Sequence, residues 1–511
     1  MTVYSVDLGI GWASSGVEYA QAYRAQALKE VNIPAKFIFS DMILANNIED
    51  LTSNLGFDDS QIIWLYNYFT DVRIAPSTYQ ITQLEDELEI KQRNYKKDNT
   101  SDGEVRYILE NEHLIIVARL RDKKEETIDQ VSYVFNGQMV KRDFYSYVKY
   151  ASETYSGNSK NNYVIFREFY NEDGSIAYIQ HLFDNNEQYE FPNKQIFYSK
   201  NELYHEMIRR LNFSSNDTVI IDRLDEDKQL VNSQLLFENH GDAKLIVAVH
   251  ADHYDKHYTN KKQILWNNFY EYQFTHSQDV ASFVVATDQQ RRLLEKQLKQ
   301  YEHVKPRIDT IPVGSLSELK YSKEKRKRHS LITASRLANE KHIDWLIRAT
   351  VLAQKEIPDI SLDIYGQGNQ MGRLNKIIKS SHAENYIRLM GQHDLTDLYV
   401  KYEAYVAAST SEGFGLSLLE AVGSGLPMIG FDVPYGNQTF IDNNKNGYLL
   451  PYTEDWSDNK KIQSLSAAII KLFQQDKFTV FSKQSYQLAE PYLTGNIAKR
   501  WKKLLEDLTH A

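Results

Sequence analysis

Six short apolar runs recur between residues 330 and 451: SLITAS (330–335), SLDIYG (361–366), YIRLMG (386–391), AYVAAS (404–409), PMIGFD (427–432) and GYLLP (447–451). Each gives way to Gly, Ser, Asn or Asp and then to a helix-like stretch such as HIDWLIRATVLAQKE (342–356). This alternation constrains the fold most, because parallel strands need long crossover connections and helices supply them. A second, interrupted set reads TVYSVDLGI (2–10), KFIFS (36–40), TVIID (218–222), AKLIVAVH (243–250) and SFVVAT (282–287). A chain of 511 residues exceeds a single core. The expectation is two doubly wound α/β domains, with ligand bound at the carboxyl ends of the strands in a cleft between them.

The interruption, from about 75 to 200, has a different period. Apolar and polar residues alternate in EVRYILE and YVIFREFY, and turn pairs recur at Asp102-Gly103, Asn136-Gly137 and Asp173-Gly174. Asn-Gly between VSYVF and QMVKRD predicts a two-residue hairpin. The segment therefore reads as an antiparallel meander inserted into the first α/β domain. It holds 13 of the 35 tyrosines in about a quarter of the chain. So many rings either serve as strand formers or form an interface; the interface reading is favoured, because an inserted meander has little other core to join.

The net charge of −10 argues against an electrostatically driven nucleic-acid binder. With no cysteine, thiolate metal sites and disulfides are excluded. The start, MTVYSVDLGIGWASSG, lacks a basic stretch followed by an apolar one, and no apolar run approaches the ~18 residues that span a bilayer. A cytoplasmic protein is expected.

The chemistry concentrates in TSEGFGLSLLEAVGSGLP (410–427). Glu412 falls in a glycine-flanked loop after a strand. Ser417 is the expected N-cap of the following helix, and Glu420 is expected near its first turn. Backbone amides at Gly415, Leu416 and Ser417 would form an anion site favoured by the helix dipole. One carboxylate could then serve ribose hydroxyls and the other the group carried by a diphosphate. In SRLANEK, Arg336 and Lys341 follow a strand of the same domain and could neutralise a diphosphate leaving group without a metal. Gly9, Gly11 and Gly16 after the first strand permit close approach to phosphate, although their spacing is not that of a dinucleotide fingerprint. Gly366 and Gly368 in IYGQG could let a loop pass close to a nucleobase.

Together SEGFGLSLLEAVGSGLP, SRLANEK, LDIYGQG and the N-terminal glycine loop resemble the retaining GT-B glycosyltransferases of family 4, over nearly all of residues 1–65 and 205–511. The resemblance implies an α/β GT-B fold with these parts: 1–74 and 201–315 forming the first Rossmann-like domain, 75–200 the inserted β domain, 316–490 the nucleotide-sugar domain, and 491–511 a helix crossing back to the first domain. Within the family, the insertion resembles two subgroups. One adds N-acetylglucosamine to Ser/Thr of serine-rich repeat adhesins during accessory secretion, beside a homologous non-catalytic companion. The other glycosylates wall teichoic acid. The chain resembles the first more closely, and a non-catalytic subunit of the same fold is the third reading.

The resemblance further implies UDP-N-acetylglucosamine as donor substrate and no metal or other cofactor. Arg336 and Lys341 would hold the diphosphate with backbone at Gly16 and Leu416–Ser417. Glu420 would hold the ribose, Glu412 would meet sugar hydroxyls, and His250 would lie by the donor sugar. Gly413, Phe414, Gly415, Gly366 and His393 complete the expected substrate-binding set. The implied partners are the companion, docked through the inserted domain, and a Ser/Thr-rich acceptor polypeptide; peripheral membrane association through that complex is compatible with this reading.

Three other signals are set aside. His250, His253 and His257 have a spacing that suits a helical metal site, but the segment follows a buried strand and lacks a ligand set. Asp225-Glu226-Asp227 matches a metal-binding D-x-D pattern yet reads as a solvated turn. KEKRKR (323–328) reads as a solvated linker rather than a nucleic-acid patch.

Overall fold

The computed structural model describes residues 1–12, 16–98, 103–158, 161–184, 186–224, 232–250, 252–475 and 477–509. Asp225-Glu226-Asp227 and Asp102 lie outside them. The chain divides into two compact units. The first comprises Met1–Ala25, Ile33–Val247 and Glu271–Val280; the second comprises Gln26–Asn32, Ala248–Tyr270 and Ala281–Ala511.

In the first unit, parallel strands lie in the order Lys244–Val249, Thr218–Arg223, Val3–Asp7, Ala35–Phe39 and Ile62–Trp64. Their sequences are almost continuously apolar because helices cover both faces of a parallel sheet. The exception is a buried ionic cluster. Arg24, from the helix Gly16–Glu30, donates to Asp222 at 2.8 and 2.6 Å and to the Ser5 hydroxyl at 2.8 Å. Gln21 donates to the same carboxylate at 2.9 Å. The cluster ties that helix to two adjacent strands.

The same unit carries a ten-stranded antiparallel sheet from Lys96–Asp98 to Ile196–Phe197, with neighbours in chain order throughout. It is the expected meander. Asn136 (φ 48°) and Gly137 (φ 76°) join Thr127–Phe135 to Gln138–Tyr145, and two left-handed residues give the turn whose twist matches the strands. The rings serve largely as core. Tyr107, Tyr145, Tyr150, Tyr170, Tyr178 and Tyr189 are buried. Phe169 stacks on Tyr178 at 4.6 Å, and Tyr178 stacks on Phe191 at 5.1 Å and donates to the Tyr66 carbonyl at 2.6 Å. This aromatic stack seats the meander against residues 66–69, and so supplies the core that the alternating pattern alone did not reveal. Phe135, Tyr163 and Phe183 remain exposed.

In the second unit, six parallel strands lie in the order Ile387–Gly391, Ser361–Tyr365, Ser330–Ala334, Ala404–Val406, Met428–Phe431 and Gly447–Leu450. Numbered along the chain, that is 3-2-1-4-5-6, the doubly wound order whose direction reverses between the first and fourth strands. KEKRKR, which precedes the first strand, is only partly a solvated linker. Lys323, Lys325, Lys327 and Arg328 are exposed, but Arg326 donates to the carbonyls of Tyr402 at 2.7 Å and Ser424 at 2.6 Å. No described helix is long and apolar enough to cross a membrane.

Arg24→Ala would leave the Asp222 carboxylate buried without its guanidinium. The expected loss is about 3–5 kcal/mol of stability, read from urea unfolding of the purified chain. A loss below about 1 kcal/mol would contradict this role for the cluster.

Candidate functional site

The point where strand order reverses brings two loops together: the one after Ser330–Ala334, bearing Arg336 and Lys341, and the one after Ala404–Val406, bearing Glu412. Lys341 Nζ donates to Glu412 Oε2 at 2.8 Å across 71 residues of sequence, with side chains only 13% and 19% exposed. Glu412 is also fixed through its backbone. Its N–H donates to the Pro434 carbonyl at 3.1 Å, and its own carbonyl accepts from Tyr435 N at 2.6 Å and Gly436 N at 2.8 Å.

The helix after this loop spans Leu416–Gly423, and its N-cap is Gly415, not Ser417. Gly415 has φ 83°, where glycine carries no steric penalty. Ser417 instead lies in the first turn, with its hydroxyl 3.0 Å from that of buried Tyr405. Intrahelical bonding begins with Leu418 and Leu419 donating to the Gly415 carbonyl, so the amides of Leu416 and Ser417 are not used by the helix, as an anion site requires. Glu420 occupies the second turn rather than the first and accepts from Tyr399 Oη at 2.8 Å. Burial raises its carboxyl above the usual range, and the Tyr399 bond opposes that rise. Burial also pushes Tyr405 up to about 12.

The remaining expected residues fall into distinct places. Arg336 does not join the Lys341–Glu412 pair; it is 80% exposed and, among the described residues, pairs with Glu340 at 3.3 Å. Gly366 (φ 122°) underlies the same loop: a Cβ there would meet the Ser335 carbonyl at 1.9 Å. The backbone that carries Arg336 therefore requires glycine at this position. Gly413 is half-buried in the Glu412 loop, whereas the Phe414 ring is buried against Phe440 at 5.2 Å and acts as packing. His393 is exposed, its Nε2 2.9 Å from the Met390 carbonyl and its ring edge-on to Tyr365. Gly16 opens its helix in the first unit.

The histidines do not converge. His250 N–H donates to Tyr270 Oη at 3.0 Å, His253 Nε2 lies 2.6 Å from Gln297 Oε1, and His257 faces Asp255 and Glu454. Among the described residues no group of three or more His, Asp or Glu is placed to hold a metal. Sequence reasoning missed Tyr399, Tyr405 and Tyr435, which brace the glutamates and the helix. No spacing marks them, because each reaches the site from a different strand or loop.

His253 is fully buried, and its ring lies 6.4 Å from that of Tyr435, nearly parallel. Burial pushes its imidazole down to about 4 from an ordinary 6.5. The unfolded chain therefore binds this proton more readily, so stability is intact above about pH 6.5 and falls as pH drops toward about 4. The stability gap between the unaltered chain and His253→Gln, measured by urea unfolding, is expected to narrow from pH 7.5 to pH 5. A constant gap would contradict the burial argument.

Residues 95–193 match the GtfA extended beta-sheet domain, and residues 328–475 match glycosyl transferases group 1. The chain is 62% identical over 513 residues, 100% of both chains, to a UDP-N-acetylglucosamine–peptide N-acetylglucosaminyltransferase GtfA subunit of Limosilactobacillus reuteri subsp. suis. Two solved structures superpose along its length. A GtfA/B complex matches with TM-score 0.93 and 48% identity, covering 100% of each chain. The pneumococcal O-GlcNAc transferase GtfA in complex with UDP and GlcNAc matches with TM-score 0.92 and 44% identity, covering 100% of this chain and 99% of that one. The chain belongs to the family of UDP-N-acetylglucosamine–peptide N-acetylglucosaminyltransferase GtfA subunits, glycosyltransferases of the GT-B fold.

Proposed function

We propose that this chain transfers N-acetylglucosamine from UDP-N-acetylglucosamine to Ser/Thr hydroxyls of a serine-rich polypeptide in the cytoplasm, with retention at the anomeric carbon. The observation that carries the reading is the Lys341–Glu412 pair at the sheet's reversal point, in a chain of this family. Lys341 and exposed Arg336 supply positive charge to the diphosphate, assisted by the amides of Leu416 and Ser417. Glu420, held by Tyr399, accepts from the ribose. Glu412 accepts from sugar hydroxyls and orients the ring.

The acceptor oxygen forms its bond to the anomeric carbon on the face from which UDP departs. The bond to the β-phosphate oxygen breaks, and the acceptor's proton passes to that departing oxygen. Charge grows on the phosphate as the bond breaks, so the cations lower the barrier more than they tighten the ground state.

The companion subunit docks, in this reading, on the inserted sheet. In a meander, alternate turns share one end, so Phe135, Tyr163 and Phe183 all lie near the hairpin turns of the same end. Exposed aromatic rings grouped this way suit a protein interface.

Intact mass of a Ser/Thr-rich peptide, incubated with donor and with or without the companion, tests the proposal; a ribitol-phosphate polymer serves as the competing acceptor. Increments of one N-acetylhexosamine on the peptide are expected. Arg336→Ala should slow them about a hundredfold without unfolding the chain, and Tyr163→Ser with Phe183→Ser should remove any stimulation by the companion. Modification of the polymer alone, or of neither acceptor, would overturn the reading.

A further inference from the structure

The segment that follows Lys244–Val249 belongs to the second unit and lies beside the Glu412 loop. Asp252 Oδ2 accepts from Ser411 Oγ at 2.9 Å, and the Asp252 carbonyl accepts from Asn267 Nδ2 at 3.2 Å. The next residue, His253, is buried against Gln297 and faces the Tyr435 ring, while Tyr435 N donates to the Glu412 carbonyl. Further along, Lys256 Nζ pairs with Glu454 at 3.0 Å. One short segment therefore bonds to the Glu412 loop through the side chain of the residue before Glu412, and faces Tyr435, whose backbone holds Glu412 from the other side.

We infer that Asp252 is a positioning residue for donor turnover, acting through Ser411 to fix the loop that aims the Glu412 carboxylate. The inference rests on the proposed role of Glu412. Backbone bonds to residues 434–436 hold Glu412, and Thr410 N donates to the Glu340 carbonyl at 3.1 Å; Ser411, between them, is held through its side chain by Asp252. The Asp252–Ser411 bond supplies a lateral restraint, and the buried His253 anchors Asp252 itself. Gly413 follows Glu412 directly, so the loop has little rigidity of its own at that point. A misaimed carboxylate costs rate rather than nucleotide affinity, because the diphosphate and ribose contacts assigned to other residues remain.

The test measures UDP release from UDP-N-acetylglucosamine by the full chain with its companion, alongside UDP affinity by calorimetry. Asp252→Ala and Ser411→Ala should each lower kcat about tenfold with UDP affinity and thermal midpoint unchanged, and the double variant should be no slower than either single one. Asp252→Asn keeps an acceptor oxygen for Ser411 and should recover most of the rate. Asp252→Asn as slow as Asp252→Ala would overturn the inference by assigning the charge itself a direct role on substrate. Single losses that multiply in the double variant would overturn it as well, as would full activity in Asp252→Ala. An unaltered chain that releases no UDP would instead overturn the proposed function, and this inference with it.

Discussion

The 2.8 Å contact between Lys341 and Glu412 is the interaction on which the site depends. Two opposite charges held at 13% and 19% exposure are costly to desolvate singly, and each makes the other tolerable. The sheet order makes the pairing unavoidable. With strands arranged 3-2-1-4-5-6, the loops after strands one and four are neighbours, and Lys341 on one reaches Glu412 on the other. In the proposed reading, a diphosphate meets a lysine already paired with its carboxylate and, in the same loop, an exposed arginine.

The supports beneath the pair are graded in rigidity. Glu412 is clamped by backbone bonds to residues 434–436, whereas the Arg336 side chain projects into solvent from a loop whose backbone packs against Gly366 and Gly368. The buried carboxylate is the one assigned to the sugar, and the exposed cation is assigned to the group that departs. Tyr399 and Tyr405 add a second layer, bonding Glu420 and Ser417 from the core side. Tyr399 donates to the Glu420 carboxylate, and the Tyr405 and Ser417 hydroxyls share one hydrogen bond.

Much of this was legible in the sequence. All six strands of the second unit's 3-2-1-4-5-6 sheet and the Asn136-Gly137 hairpin follow from local signals: continuous apolar runs ending in turn residues, and a dipeptide whose backbone preferences admit few alternatives. The helix start was misassigned to Ser417 because serine is a common N-cap, yet the tight turn out of the Glu412 loop needs the positive φ that Gly415 supplies. The pairing of Lys341 with Glu412 is a tertiary fact that the strand order fixes. The tyrosines of the insertion illustrate the same limit. Their number suggested an interface, but Tyr178 and Tyr189 find their partners in Tyr66 and Phe191, beyond the reach of any periodicity within the strands.

The central claim is that Lys341 and Glu412 act as one unit. A double-mutant cycle on transfer rate tests it most directly, comparing Lys341→Ala, Glu412→Ala and the double variant at saturating donor. The account predicts that the double variant is no slower than the slower single variant, because removing either member already strands the other. Losses that multiply would mean that the two residues act independently, and would contradict the account.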